Sequence, residues 1–118
     1  MEKNPWRKTK VCIIDDADDI REIYSVKFMT EDYDVVSAKD GEEGLRIVRA
    51  EKPDVILLDI KMPGMDGWET IARMRELYPA VKPIVIMVTT HGREMLVQRS
   101  VQEQASLHAF LVKPITAS

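Results

Sequence analysis

The sequence predicts an α/β domain, a parallel sheet with helices wound over both faces. Three observations carry that prediction. Short, uninterrupted apolar runs recur along the chain, at Val11–Ile14, Val55–Leu58 and Ile84–Val88. They are too short for helices and do not alternate with polar residues, as befits strands covered on both faces. Between them lie stretches with helical spacing of apolar residues, and strict strand–helix alternation implies a parallel sheet with right-handed crossovers.

The elements follow in order. Residues 1–9 read as a flexible leader, and the domain occupies 10–118. Lys10 to Asp15 is a first buried strand ending at an aspartate. Ile20, Ile23, Tyr24 and Phe28 then mark one face of a helix, for which Asp18 or Asp19 suits the N-cap. Tyr33 to Ala38 is a short second strand. Asp40-Gly41 opens a helix carrying Leu45, Ile47 and Val48, which closes before Pro53. Asp54 to Asp59 is the third strand, followed by a Pro63-Gly64 turn. Asp66 begins a helix with Trp68, Ile71, Ala72, Met74 and Tyr78 on one side, stopped by Pro79. Pro83 to Val88 is the fourth strand, with Thr89, Thr90 and His91 directly after it. A weaker helical pattern spans Arg93 to about Gln104, and His108 to Val112 is the fifth strand, before Lys113-Pro114. No fifth helix follows, so the last helix that would complete the alternation is expected to be missing. The strand face it would cover is then expected to be completed by sequence beyond Ser118 or by a second copy in a homodimer.

Composition narrows the function classes. A chain of 118 residues with 45% apolar and 31% charged residues makes one globular domain;. A net charge of −3 argues against direct nucleic-acid binding;. Cys12 is the single cysteine and lies within an apolar run, where it reads as a small buried hydrophobe;. The longest apolar run is too short to cross a bilayer, and the basic N-terminal residues have no hydrophobic segment behind them. A cytoplasmic location, away from membranes, is the resulting expectation.

The strand ends carry the chemistry. Parallel strands bring Asp15 and Asp16, Asp59, Thr89 and Lys113 to one edge of the sheet, where open α/β sheets place their ligands. Carboxylates converging to about 4 Å repel by roughly 4 kcal/mol per pair at an effective dielectric near 20. Such a cluster calls for a cation, and all-oxygen donors suit magnesium that keeps part of its water shell. With a lysine and a hydroxyl added, the edge is suited to holding a phosphoryl group. Each residue has a plainer explanation: Asp15 and Asp16 as helix caps, Thr89 as a loop residue, Lys113 as a solvated cation. Their coincidence at four of five strand ends favours the site.

Four segments resemble the receiver domain of two-component response regulators. They are Val11-Cys12-Ile13-Ile14-Asp15-Asp16, Ala38-Lys39-Asp40-Gly41-Glu42-Glu43-Gly44-Leu45, the run from Pro53 to Gly67, and Phe110-Leu111-Val112-Lys113-Pro114. The resemblance implies a flavodoxin-like, doubly wound, five-stranded parallel sheet of order 2-1-3-4-5. It implies that Asp59 accepts a phosphoryl group from a sensor histidine kinase or a phosphotransfer protein. Asp15, Asp16, Asp59 and the backbone carbonyl of Lys61 would hold Mg2+. Lys113 and Thr89 would contact the phosphoryl oxygens, and Thr89 and Phe110 would form the switch read by an output domain or target protein. Lys61, Thr90 and His91 stand where modulators of the reaction are expected. Thr90 replaces a usual Ala or Gly, and Phe110 replaces the commoner Tyr.

Three rival readings compete with the phosphoacceptor switch. A magnesium-dependent phosphohydrolase could use Asp59 as nucleophile, but Lys61 stands where its second acid is expected, and the chain has no room for a substrate-selecting cap. The resemblance therefore implies a signalling module and not an enzyme. A receiver-like module that only binds partners would not need the complete acceptor set. A nucleotide-binding domain on the same fold is disfavoured, because Asp15-Asp16-Ala17-Asp18-Asp19 would repel phosphates.

Overall fold

A computed structural model describes residues 7–89 and 109–112. Five parallel strands, β1 (Lys10–Ile14), β2 (Asp34–Ala38), β3 (Val55–Asp59), β4 (Ile84–Thr89) and β5 (Ala109–Val112), lie in the order β2-β1-β3-β4-β5. Three helices are described between them: α1 (Asp18–Thr30), α2 (Gly41–Glu51) and α3 (Gly67–Leu77). The expected doubly wound sheet is therefore present, with strand ends within about one residue of those read from the sequence. The expectations for residues 1–6, for a helix over 93–104 and for a missing last helix lie outside the described residues.

The apolar runs are continuous because the sheet buries both faces. Cys12 and Ile14, Ile56 and Leu58, and Val85 and Met87 point to the layer of α2 and α3, against Leu45, Val48, Trp68, Ile71 and Met74. Val11, Ile13, Leu57 and Val88 point the other way, toward Tyr24 of α1, with Ile20 and Phe28 beside it. Burying each large aliphatic side chain contributes about 1.5–3 kcal/mol. The Cys12 thiol is wholly enclosed, and burial pushes its pKa up to about 12, so it stays protonated and unreactive near neutral pH;.

Three details differ from the sequence reading. Ile23 is 43% exposed and joins Val26 and Met29 in an outward apolar stripe. The inward face of α1 repeats at Ile20, Tyr24 and Phe28, and Ile23 falls beside it;. Ala72 likewise turns to solvent, one position off the buried Ile71 and Met74 face. The N-cap of α1 is Ala17, which offers no side-chain cap, instead of Asp18 or Asp19. By contrast, Asp40 and Asp66 cap α2 and α3, each accepting the backbone N–H three residues on at 2.8 Å;.

At the amino edge of the sheet one residue ties three strands together. The Asp54 backbone donates to the Lys10 carbonyl at 2.9 Å and accepts from Ile84 N–H at 2.9 Å. Its carboxylate accepts the Lys10 N–H and the Arg7 guanidinium, both at 2.8 Å. Of the segment read as a leader, Arg7, Lys8 and Thr9 all bond to the domain, Lys8 to Asp32 and Thr9 through its carbonyl to the Asp34 N–H. Lys10 adds an ion pair to Glu51 at 2.8 Å, and that hydrogen bond raises the lysine pKa. Replacing Asp54 with Ala strands the Lys10 N–H in a half-buried site and should cost about 1–3 kcal/mol. Arg7→Ala, which removes an exposed partner, should cost under about 1 kcal/mol. Urea unfolding of the two variants checks the ranking, and equal midpoints would contradict it.

Candidate functional site

The carboxyl edge of the sheet is where the acids meet. β1 ends at Ile14, and Asp15 continues its pairing by donating its N–H to the Ala38 carbonyl at 3.1 Å. Asp59 is the last residue of β3 and pairs in register with Val88 of β4. Asp15 and Asp59 are buried, at 2% and 6% exposure, while Asp16 faces solvent. One carboxylate oxygen from each of the three lies within 4.8 Å of the others. The structure thus brings together the three acids singled out in the sequence.

Their mutual repulsion is large enough to matter. At that separation a pair of unit charges costs about 0.9 kcal/mol in bulk water and roughly 3.5 kcal/mol at an effective dielectric near 20. Asp16 belongs near the lower figure and the buried pair of Asp15 and Asp59 nearer the upper. Hydrogen bonding offsets part of the cost, since Asp15 Oδ1 accepts the Ala17 N–H at 2.9 Å. The donor set fits a hard divalent cation: three carboxylates, no sulfur or imidazole, and one member open to water.

The wall beside Asp59 is backbone. The β3–α3 connection turns through Gly64, at φ +74°, and returns so that the Gly67 N–H donates to the Ile60 carbonyl at 2.7 Å. A Cβ on Gly67 would lie 2.5 Å from the Asp59 carbonyl oxygen and 2.9 Å from the Ile60 Cα. Only a residue without a side chain lets α3 begin this close to the acid. Met62 is buried and Met65 packs against the core.

The remaining candidates are placed less fully. The Lys61 side chain is exposed, two residues past Asp59. Thr89 ends β4 and pairs in register with Val112, and Phe110 pairs with Met87, which puts Thr89 at the carboxyl edge and Phe110 within the sheet. Thr90, His91 and Lys113 lie outside the described residues. Sequence reasoning passed over Arg21, whose guanidinium donates to the Asp15 main-chain carbonyl at 2.7 Å.

A doubly wound sheet of this order, with acids gathered at the ends of its first and third strands, defines the receiver class of signalling domain. The chain belongs to the response regulator receiver domain family, whose model matches residues 11–118. It is 37% identical over 99 residues to the sporulation initiation phosphotransferase F of Bacillus subtilis, covering 84% of this chain and 78% of that protein. It is 31% identical to the Escherichia coli transcriptional regulatory protein GlrR, covering 87% of this chain but only 22% of the relative's length. Among solved structures it resembles the Vibrio cholerae chemotaxis protein CheY4, with a TM-score of 0.77 and 28% identity over 93% of this chain and 90% of that one. The Thermotoga maritima response regulator TrrA, solved in complex with Mg(2+)-BeF, gives a TM-score of 0.76 and 26% identity over 91% and 88% of the two chains.

Gly67 gives the geometry a direct test. In an unhindered helix, Gly→Ala stabilises by roughly 0.5–1 kcal/mol. Here the new methyl must displace the Asp59 and Ile60 backbone, and overpacking of that kind costs about 1–3 kcal/mol. Gly67→Ala should therefore destabilise the domain and shift the Asp59 and Ile60 amide resonances. An alanine variant as stable as the parent, with those resonances unmoved, would contradict the close approach.

Proposed function

We infer that this domain is a phosphorylation-dependent signalling switch whose acceptor is Asp59. The observation that carries the reading is the convergence of Asp15, Asp16 and Asp59 within 4.8 Å at the edge where β4 also ends in Thr89. Asp59 combines burial with a place at the end of the central strand, where a nucleophile is held in one direction and shielded from bulk water. Its carboxylate oxygen attacks the phosphorus of a phosphohistidine or a small acyl phosphate. The P–N or P–O bond to the donor breaks, its electrons leave with the donor, and an aspartyl phosphate forms. The donor protein is a sensor histidine kinase or a phosphotransfer protein, in keeping with the phosphotransferase relative. The exposed Ile23, Val26 and Met29 on α1 offer such a partner a nonpolar surface.

Asp15, Asp16 and Asp59 are the side chains that would hold Mg2+, joined by the Lys61 carbonyl. The ion supplies charge neutralisation, both for the cluster and for the incoming phosphoryl oxygens. Lys113 would pair with those oxygens and the Thr89 hydroxyl would hydrogen-bond them. A modification can shift a conformational equilibrium only through contacts that differ between the two states. Thr89 and Phe110, on the two strands that pair at this side of the sheet, are assigned that role, with an output domain or target protein as the reader.

This reading makes the domain a signalling module with self-modifying chemistry only. Lys61, two residues past the acceptor, leaves no second acid at the position a phosphohydrolase would use.

Intact mass after treatment with acetyl phosphate and magnesium should rise by one phosphoryl group, and Asp59→Asn should abolish the gain. Stoichiometric labelling of Asp59→Asn would move the acceptor elsewhere. In a separate titration, Asp16→Ala should weaken magnesium binding well beyond Glu42→Ala, since Glu42 is exposed at the start of α2. Equal affinities for the two variants would remove Asp16 from the ion site.

A further inference from the structure

α1 begins without the side-chain cap that its sibling helices have. Ala17 occupies the N-cap position with extended backbone and no oxygen to offer. Its acidic neighbours are engaged elsewhere: Asp15 Oδ1 takes the Ala17 N–H, and Asp19 Oδ1 takes the adjacent Ile20 N–H at 2.9 Å. The tie between helix and acid loop comes from Arg21. Its backbone N–H closes the first turn on the Ala17 carbonyl at 3.0 Å. Its side chain, 19% accessible, turns back toward the sheet. Nη1 donates to the Asp15 main-chain carbonyl at 2.7 Å, and Nη2 donates to the Asp18 carboxylate. The two contacts span the loop that carries Asp15 and Asp16. Only a planar fork of fixed geometry reaches both acceptors at once, which a lysine cannot do.

We propose that Arg21 is a positioning residue for the acid cluster: by holding the Asp15 main chain against the first turn of α1, it aims the Asp15 and Asp16 carboxylates at Asp59. The inference rests on the reading of that cluster as a magnesium and phosphoryl site. A cation near three acids also opposes metal binding, so charge and geometry pull in opposite directions. Asp18 pairs with the guanidinium and offsets part of its charge, and replacing the two together leaves the net charge unchanged, so that the geometric effect is read alone.

The test removes the brace without changing net charge, by combining Arg21→Met with Asp18→Asn. Residues outside a metal's own ligand set that orient those ligands typically change affinity by about 10–100-fold. For this partly exposed brace the expected loss is at the low end, about tenfold in the magnesium dissociation constant by calorimetry. In the metal-free protein, amide exchange at Ala17 should quicken. Arg21→Lys, which restores a single cationic group able to reach one of the two acceptors, should recover part of both effects, and it serves as the test if the double variant does not fold. A magnesium constant within about twofold of the parent, even with a lowered unfolding midpoint, would overturn the proposal and leave Arg21 a purely structural residue. If the parent itself binds no magnesium at millimolar concentration, it is the reading of the site that fails. Ala17 exchange in the metal-free variant then decides the brace alone: faster exchange upholds it and unchanged exchange overturns it.

Discussion

Three carboxylates forced together at one edge of a sheet set the terms for the rest of this domain. Left to themselves, Asp15, Asp16 and Asp59 would separate, because each pair gains up to a few kcal/mol by doing so. They cannot, because Asp15 continues the pairing of β1 with β2 and Asp59 is fixed by the pairing of β3 with β4. Backbone hydrogen bonds on either side hold both positions, and core packing on both faces of the sheet holds the strands. The stability of the sheet is thus spent partly on keeping a repulsive cluster intact. A cluster of this kind is relieved by a cation.

The surroundings of the cluster answer to the same constraint. α3 starts at Gly67, where a side chain would strike the Asp59 carbonyl, so the start of α3 packs directly against the end of β3. α2 and α3 are capped by Asp40 and Asp66, which fix where each helix begins relative to the strand before it. α1 lacks such a cap and relies on Arg21 instead. At the opposite edge, Asp54 binds β1, β3 and β4 together, so the strands that carry the acids are anchored at their far ends.

Much of this was legible in the sequence, for identifiable reasons. β1, β3 and β4 were readable because strands buried on both faces leave unbroken apolar runs. α2 and α3 were readable because Asp40 and Asp66 have the right chemistry for the positions they occupy. The acids were readable because parallel strands must deliver their carboxyl ends to one edge. What escaped was local geometry. Asp18 and Asp19 suit a helix cap, but the Asp15 side chain takes the Ala17 N–H, and the helix starts at Asp18, earlier than a cap at either residue would place it. Ile23 and Ala72 fit a helical repeat in sequence yet fall just off the buried face. A charged residue on a helix normally reads as solvated, so Arg21 gave no sign of reaching back to Asp15. The steric need for Gly67 appears only once the Asp59 carbonyl is seen beside it.

The central claim, that the fold holds these acids together against their repulsion for the benefit of a cation, is tested most directly by stability as a function of magnesium. Chemical unfolding should show the parent gaining stability as RT ln(1 + [Mg2+]/Kd), while Asp59→Asn responds weakly or not at all. Without magnesium the order should invert, with Asp59→Asn more stable than the parent by about 1 kcal/mol or more, because one charge of the cluster has been removed. An Asp59→Asn protein that is less stable than the parent in the absence of magnesium, or that gains as much from the ion as the parent does, would contradict the account.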